Sequence, residues 1–237
     1  MGITKSRFDM AKEYISQLIE LDDDVIKWLD KYSDNQEKLH EVYYWVVRKD
    51  VEVYEDKESE VKYGCDNKKV TVSNEDFEFE CEEEVFKDLV SGVVDILMEL
   101  LPLGTVVDLK KEHFAEYFPV NEIDNLRFVV ESRYSYVEKS NLFFPYGGII
   151  YPIGRVIEQS VMYFTPPLIE RVVYKGYVDE VEEAYEFEMK KELIVEKRKK
   201  SIAFGSDKEK LEFQTELRRK GNLDGRRQYF NRYRASN

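Results

Sequence analysis

The stretch 143–178, FFPYGGIIYPIGRVIEQSVMYFTPPLIERVVYKGYV, constrains the fold more than any other part of the chain. It is dense in aromatics, Gly and Pro, and nearly free of acid in an otherwise acidic protein. Tyr146-Gly147-Gly148-Ile149-Ile150-Tyr151 reads as an apolar strand. Tyr151-Pro152-Ile153-Gly154 reads as a turn, with Pro fixing φ and Gly free to take φ > 0. Pro166-Pro167 opens a short helical turn, Leu168-Ile169-Glu170-Arg171, because the missing N–H of Pro has no partner at the first helical positions anyway. Val172-Val173-Tyr174-Lys175-Gly176-Tyr177 reads as a further strand ending in a turn. Closely spaced strands of this kind belong to a sheet, and the rest of the chain must cover it.

Ahead of this stretch the apolar spacing is helical. Residues 6–31 follow a 3.6-residue period through Phe8, Ala11, Tyr14, Ile15, Leu18, Ile19, Val25, Ile26 and Leu29. Ser6 and Asp9 have the spacing of a capping box. Asp22-Asp23-Asp24 either divides this helix or caps its second half, and it lacks the alternating oxygen ligands and Gly of a calcium loop. A second helix is expected from Asn35 to about Tyr54, capped by Ser33 or Asp34. Residues 59–82 change to period two: Val61-Lys62-Tyr63, Val70-Thr71-Val72 and Phe77 to Cys81, separated by Asp66-Asn67 and Ser73-Asn74, predict a small antiparallel meander with a Glu-rich face. Glu83–Leu101 is the most hydrophobic helix and is expected to pack on the sheet that follows. Gly92 allows close approach of another element there, and Pro102 stops the helix.

Strands are expected at Gly104–Leu109 and Leu126–Val137, with His113, Phe114, Tyr117 and Phe118 on an irregular connection. Asp179 to about Lys200 begins with acids and ends with bases, the order that complements a helix dipole. Residues 207–220 predict a short exposed helix. The fold class is therefore α+β, read as 1–100, helices with a small meander; 101–180, the β-rich part; and 181–237, a helix and basic tail.

Charge narrows the function. The net charge is −13, yet residues 190–237 hold 15 Lys/Arg against 7 Asp/Glu, so the remainder stands at −21. An acidic body repels a phosphate backbone, which argues against nucleic acid as the body's partner. The tail alone, with Arg226, Arg227, Arg232 and Arg234 among Tyr229, Phe230 and Tyr233, has the cation-and-ring pattern of single-strand binders. No apolar run approaches the ~20 residues of a membrane helix, and the N-terminus turns amphipathic and acidic at once, so no membrane partner and no secretory signal are expected. Met1-Gly2-Ile3-Thr4-Lys5-Ser6 does match the myristoylation pattern. Cys65 and Cys81 fit a reducing compartment, either facing each other across a hairpin or serving as small buried hydrophobes. Two His, no Cys/His cluster, and no GxSxG, P-loop or HExxH leave no catalytic, cofactor-binding or metal-binding residue to assign. Paired acids such as Glu82-Glu83 and Glu182-Glu183 are too common here to be informative, and His40 has no nucleophile near it in sequence.

Leu101-Pro102-Leu103-Gly104-Thr105-Val106-Val107, the strand written YxGxxYPxG and the later I-x-x-V-x-x-x-G-Y resemble the domain-of-unknown-function family 4176 over residues 101–180. Ile153 and Arg155 depart from the more acidic turn expected there. The resemblance implies a cytoplasmic bacterial protein encoded beside an LXG-type toxin of the type VII secretion system. Its implied role is an export chaperone or adaptor for that toxin, engaging a basic toxin domain, with an immunity protein as the alternative. Aromatic anchors supply much of the affinity in such interfaces, and the candidates are Tyr44, Trp45, Tyr146, Tyr151, Tyr163 and Phe164.

Overall fold

The computed structural model describes residues 3–49, 51–116, 118, 123–155 and 161–219. The fold is α+β, with six α-helices and two antiparallel sheets among the described residues. The chain divides into two compact units, Met1–Glu99 with Phe187–Lys200, and Leu100–Glu186 with Ser201–Asn237. Residues 181–237, taken above as one C-terminal region, thus contribute to both. The basic run from Arg226 to Arg234 lies outside the described residues.

The first unit opens with α1 (Ile3–Ser16), α2 (Asp23–Lys31) and α3 (Lys38–Arg48). The helical stretch 6–31 is two helices, divided before Asp23 as the Asp22-Asp23-Asp24 run allowed. Asp22 caps α2, its Oδ1 accepting from the N–H groups of Asp24 at 3.1 Å and Val25 at 2.9 Å. Asp24 salt-bridges Lys27, which holds its carboxyl below the usual range. Ser6 lies inside α1 rather than at its cap. Ser33 does not cap α3, because its hydroxyl donates back to the Asp30 carbonyl at 2.9 Å. That helix ends at Arg48, closed by Lys49 in the left-handed region (φ 55°), six residues earlier than its apolar stripe suggested.

The residues beyond it form a strand. β1 (Val53–Asp56), β2 (Val61–Asp66), β3 (Lys69–Ser73) and β4 (Glu78–Glu82) make a four-stranded meander in sequence order. The β2–β3 hairpin turns on Asn67 and Lys68, both with positive φ, as two-residue hairpin turns require. Cys65 and Cys81 do not face each other, since Val70 on β3 lies between their strands and pairs with both. Both thiols are free, and burial pushes Cys81 up to about 12.

Helix α4 (Glu83–Leu97) packs on α1 and α3 and touches β3 and β4, elements that precede it, which corrects the expectation that it covers the following sheet. Gly92 is where α1 comes close. A Cβ there would sit 2.1 Å from the Tyr14 ring. Burial raises the Tyr14 hydroxyl to about 12. Lys190, fully buried, donates from Nζ to the carbonyls of Ile96 (2.9 Å) and Met98, placing a cation on the C-terminal end of α4. A buried chain of hydrogen bonds runs from Trp28 Nε1 to the Tyr63 hydroxyl (3.1 Å), on to Tyr32 (2.7 Å), and to Asp56 Oδ2 (3.0 Å).

The second unit is built on β5 (Val106–Leu109), β6 (Leu126–Tyr136), β7 (Leu142–Ile150), β8 (Met162–Phe164) and β9 (Ile169–Tyr174). With the two-residue β10 (Lys200–Ser201), where the chain re-enters this unit, the order is β10-β7-β6-β5-β9, and β8 also pairs with β7. Residues 142–148 of β7 are all buried. Gly147 and Gly148 permit this crowding, for a Cβ would meet Ser132 Oγ at 2.4 Å and the Val129 carbonyl at 2.9 Å. The turn at 151–154 forms as read, with a cis Tyr151–Pro152 bond and Gly154 at φ 76°. Pro166–Leu168 makes a single 3-10 turn, and the strand starts already at Ile169. α5 (Glu180–Lys190) continues into a π-helical turn, and α6 (Asp207–Arg219) follows. α6 is not simply exposed: Phe213 and Leu217, one turn apart, pack with Val137, Leu142, Phe144 and Ile202.

Candidate functional site

Strand β9 ends the second sheet, and no strand pairs with its outer edge among the described residues. Its inner edge is held firmly. Asp108 on β5 is fully buried and opposes Arg127 on β6 and Arg171 on β9. Arg127 donates to both carboxylate oxygens, at 2.6 and 3.0 Å, and Arg171 Nε donates at 2.8 Å. The Arg127 hydrogen bond is the largest cause holding the Asp108 carboxyl below the usual range. A charge buried between two guanidinium groups pins one cross-strand position on three strands, while the β5–β9 register shifts between Val106 and Val107 and between Asp108 and Leu109.

The segment after β9 is held just as closely. Gly104, at φ 80°, turns the LPLGT segment so that the Thr105 hydroxyl donates to the Pro102 carbonyl at 2.7 Å and accepts from the Gly176 N–H at 3.0 Å. A Cβ on Gly176 would lie 2.1 Å from the Leu103 carbonyl oxygen. The Gly at this point of the motif is therefore a backbone crossing with no room for a side chain. Asp179 then caps α5, accepting from Val181 and Glu182 N–H at 3.1 and 2.9 Å. Arg133 pairs with both carboxylate oxygens of Glu182 and lies 5.1 Å from the Tyr185 ring centre. Glu186 accepts from the Leu100 N–H at 3.2 Å.

These anchors leave an apolar run in water. Val172, Val173, Tyr174, Tyr177, Val178 and Val181 are all exposed, at 64% for Tyr174, 79% for Tyr177 and 75% for Val181. Single exposed apolar residues need no explanation, but six within ten residues on a sheet edge and its continuation do. Asp179, Glu180 and Glu183 are exposed among them. The surface offers apolar contact, unpaired strand edge and negative charge. The described residues contain no group of three or more His, Cys, Asp or Glu placed to hold a metal ion.

The six anchors read from the sequence fall on both units and differ in exposure. Tyr146 and Phe164 are buried against each other (ring centres 5.4 Å), and the Tyr146 hydroxyl accepts from the Leu101 N–H at 3.0 Å. Trp45 is buried, donating to the Val51 carbonyl at 3.0 Å and stacked on Tyr54. These three are core, which corrects their assignment as contact residues. Tyr163 is half-buried, stacked on Phe144 at 5.0 Å. Tyr44 (40% exposed, with Arg48 over its ring) and Tyr151 (52% exposed, near Arg127) do face water, one on each unit. The apolar residues of β9 were legible as a strand but not as a surface. The available signal was VVY, apolar at consecutive rather than alternate positions, in the last strand before an acidic helix start. His40, on α3, is driven down to about 4 by burial and is neutral at pH 7.

Residues 100–185, which contain the whole of this surface, match the family described as Domain of unknown function (DUF4176). No curated protein and no solved structure matches the chain. No helix among the described residues is long and apolar enough to cross a membrane.

Proposed function

We propose that this chain, whose residues 100–185 form a DUF4176 domain, works as a cytoplasmic chaperone or adaptor that binds a co-encoded LXG-type toxin before type VII export. The observation that carries the reading is the exposed apolar run along β9 and its continuation, bordered by acids. An uncovered strand edge of this kind is a liability unless a partner covers it. Neither metal nor nucleophile chemistry is needed for that role, and a surplus of acid speeds encounter with a basic partner.

The test is co-expression with the neighbouring toxin gene. This protein is pulled down, and the toxin's soluble yield and activity are measured within the complex. A stable complex holding active toxin supports the chaperone. A complex holding inactive toxin replaces it with an immunity protein. No complex discards both.

A further inference from the structure

We infer that the basic C-terminal segment 220–237 docks on the outer face of α5 in its own chain, and that a bound partner displaces it from there. The displacement rests on the partner-binding reading above; the docking does not. α5 is held from one side. Glu182 pairs with Arg133, and Glu186, one turn on, accepts from the Leu100 N–H. The opposite side is open to water. Glu180, Val181, Ala184 and Tyr185, spaced i, i+1, i+4 and i+5, share one face of the helix and are all exposed. That face is apolar and acidic together. Among the described residues no Lys or Arg pairs with Glu180 or Glu183, and the exposed Tyr177 and Val178 lead into it.

Charge and reach name the occupant. From Arg226 onward the chain carries four Arg and no acid, with Tyr229, Phe230 and Tyr233 among them. Cations and rings are the complement of acids beside exposed apolar side chains. The distance is short. Leu217, two positions before the last described residue of α6, packs with Val137. Arg133, which holds Glu182, lies four residues before Val137, at most about 13 Å of extended chain away. Residues 220–225 alone span up to about 20 Å. Both anchors and the segment belong to the second unit.

Other exposed apolar positions of this unit suit a basic segment less. Tyr151 lies near Arg127, Val172 and Val173 stand between Arg171 and Lys175, and Leu211 follows Lys208 and Lys210. Bases at those places repel the Arg run.

The test is limited trypsin digestion of the full chain at low salt, with the rate of cleavage after Arg226 and Arg227 followed by mass spectrometry. A docked segment is cut only from its undocked fraction, so Glu180→Gln with Glu183→Gln should raise that rate roughly threefold or more. High salt should bring the wild type up to the rate of this variant. Equal rates in the two proteins at low salt, with urea midpoints showing both folded, overturn the docking. Protection that grows with protein concentration overturns it in favour of the tail of a second copy. The neighbouring LXG-type protein, added to the wild type, should speed the same cleavage. A complex that forms without speeding it overturns the displacement. A protected tail with no complex at all overturns the partner-binding reading and leaves the docking standing.

Discussion

Two edge strands, β4 in the first unit and β9 in the second, have opposite surfaces. On β4 the inward Phe79 and Cys81 are buried, while Glu78, Glu80 and Glu82 face water, and Glu80 is paired with Lys69 at 2.9 Å. That is how an edge is made unattractive to other strands: charge on the exposed face, apolar residues on the covered one. On β9 the exposed face mixes charge with apolar residues, for Glu170 and Arg171 also reach water. Arg171 is held by Asp108, and Val172, Val173 and Tyr174 are left outside. The same protein thus protects one edge and exposes the other, and the exposed one is tied to β5 at Arg171 by a buried carboxylate. We take that difference to mean that β9 is kept available for a partner.

The strongest way to break the comparison is at Gly176. Gly176→Ala places a methyl group on the Leu103 carbonyl, so the backbone crossing beyond β9 must open. The expected cost is roughly 3 kcal/mol, at the upper end for overpacking a tight contact, read as a lower midpoint in urea unfolding. Asp108→Asn is next. It leaves two guanidinium groups facing an amide, and a loss of about 2 kcal/mol is expected, below the range for a fully buried pair because Arg127 and Arg171 reach solvent. The carboxyl is depressed in the folded state, so its contribution is present above the ordinary carboxylate range and is lost as pH falls through the lower folded value. An acid titration of the wild type should show this loss, and Asp108→Asn should not.

The first unit titrates differently. His40 is held at about 4 against an ordinary 6.5. The unfolded chain therefore binds the proton first, and stability falls as pH drops from 6.5 toward 4. His40→Gln should flatten that window, seen by comparing urea midpoints at pH 7 and pH 5. The smallest expected stability effect sharpens the edge comparison directly. Glu80→Val gives β4 an apolar outward residue in place of a surface ion pair, so stability should change by less than about 0.5 kcal/mol. Self-association, followed by light scattering against concentration, should increase.

Much of the fold was legible because local chemistry decided it. Asp22 as a cap, Gly154 in a turn, Pro166-Pro167 at a first helical turn and Gly92 at a close approach each follow from what one residue can or cannot do. The meander was legible from period two. β1 was missed because Val51 and Tyr54 continue the apolar stripe of α3 in sequence, while Lys49 reverses the chain through a positive φ that Lys does not advertise. The candidate site was the least legible part. Residues 142–148 of β7 are buried throughout, so no alternation separates inward from outward aromatics, and Tyr146 resembles an anchor as much as Tyr151 does. Which strand ends a sheet is a property of topology, and β9 became an edge only once β5 was seen to lie between it and β6.

The most direct test of the central claim compares binding of the neighbouring LXG-type protein to three proteins: the wild type, Val172→Lys with Val173→Lys, and Glu80→Val. Calorimetric titration supplies the affinity, and urea unfolding confirms that each protein is folded. Both valines are exposed, so stability should be unchanged within about 0.5 kcal/mol. Two charges on the open edge should weaken binding by roughly tenfold or more, while the β4 variant binds as the wild type does. Equal affinity for all three, with every protein folded, would contradict the account.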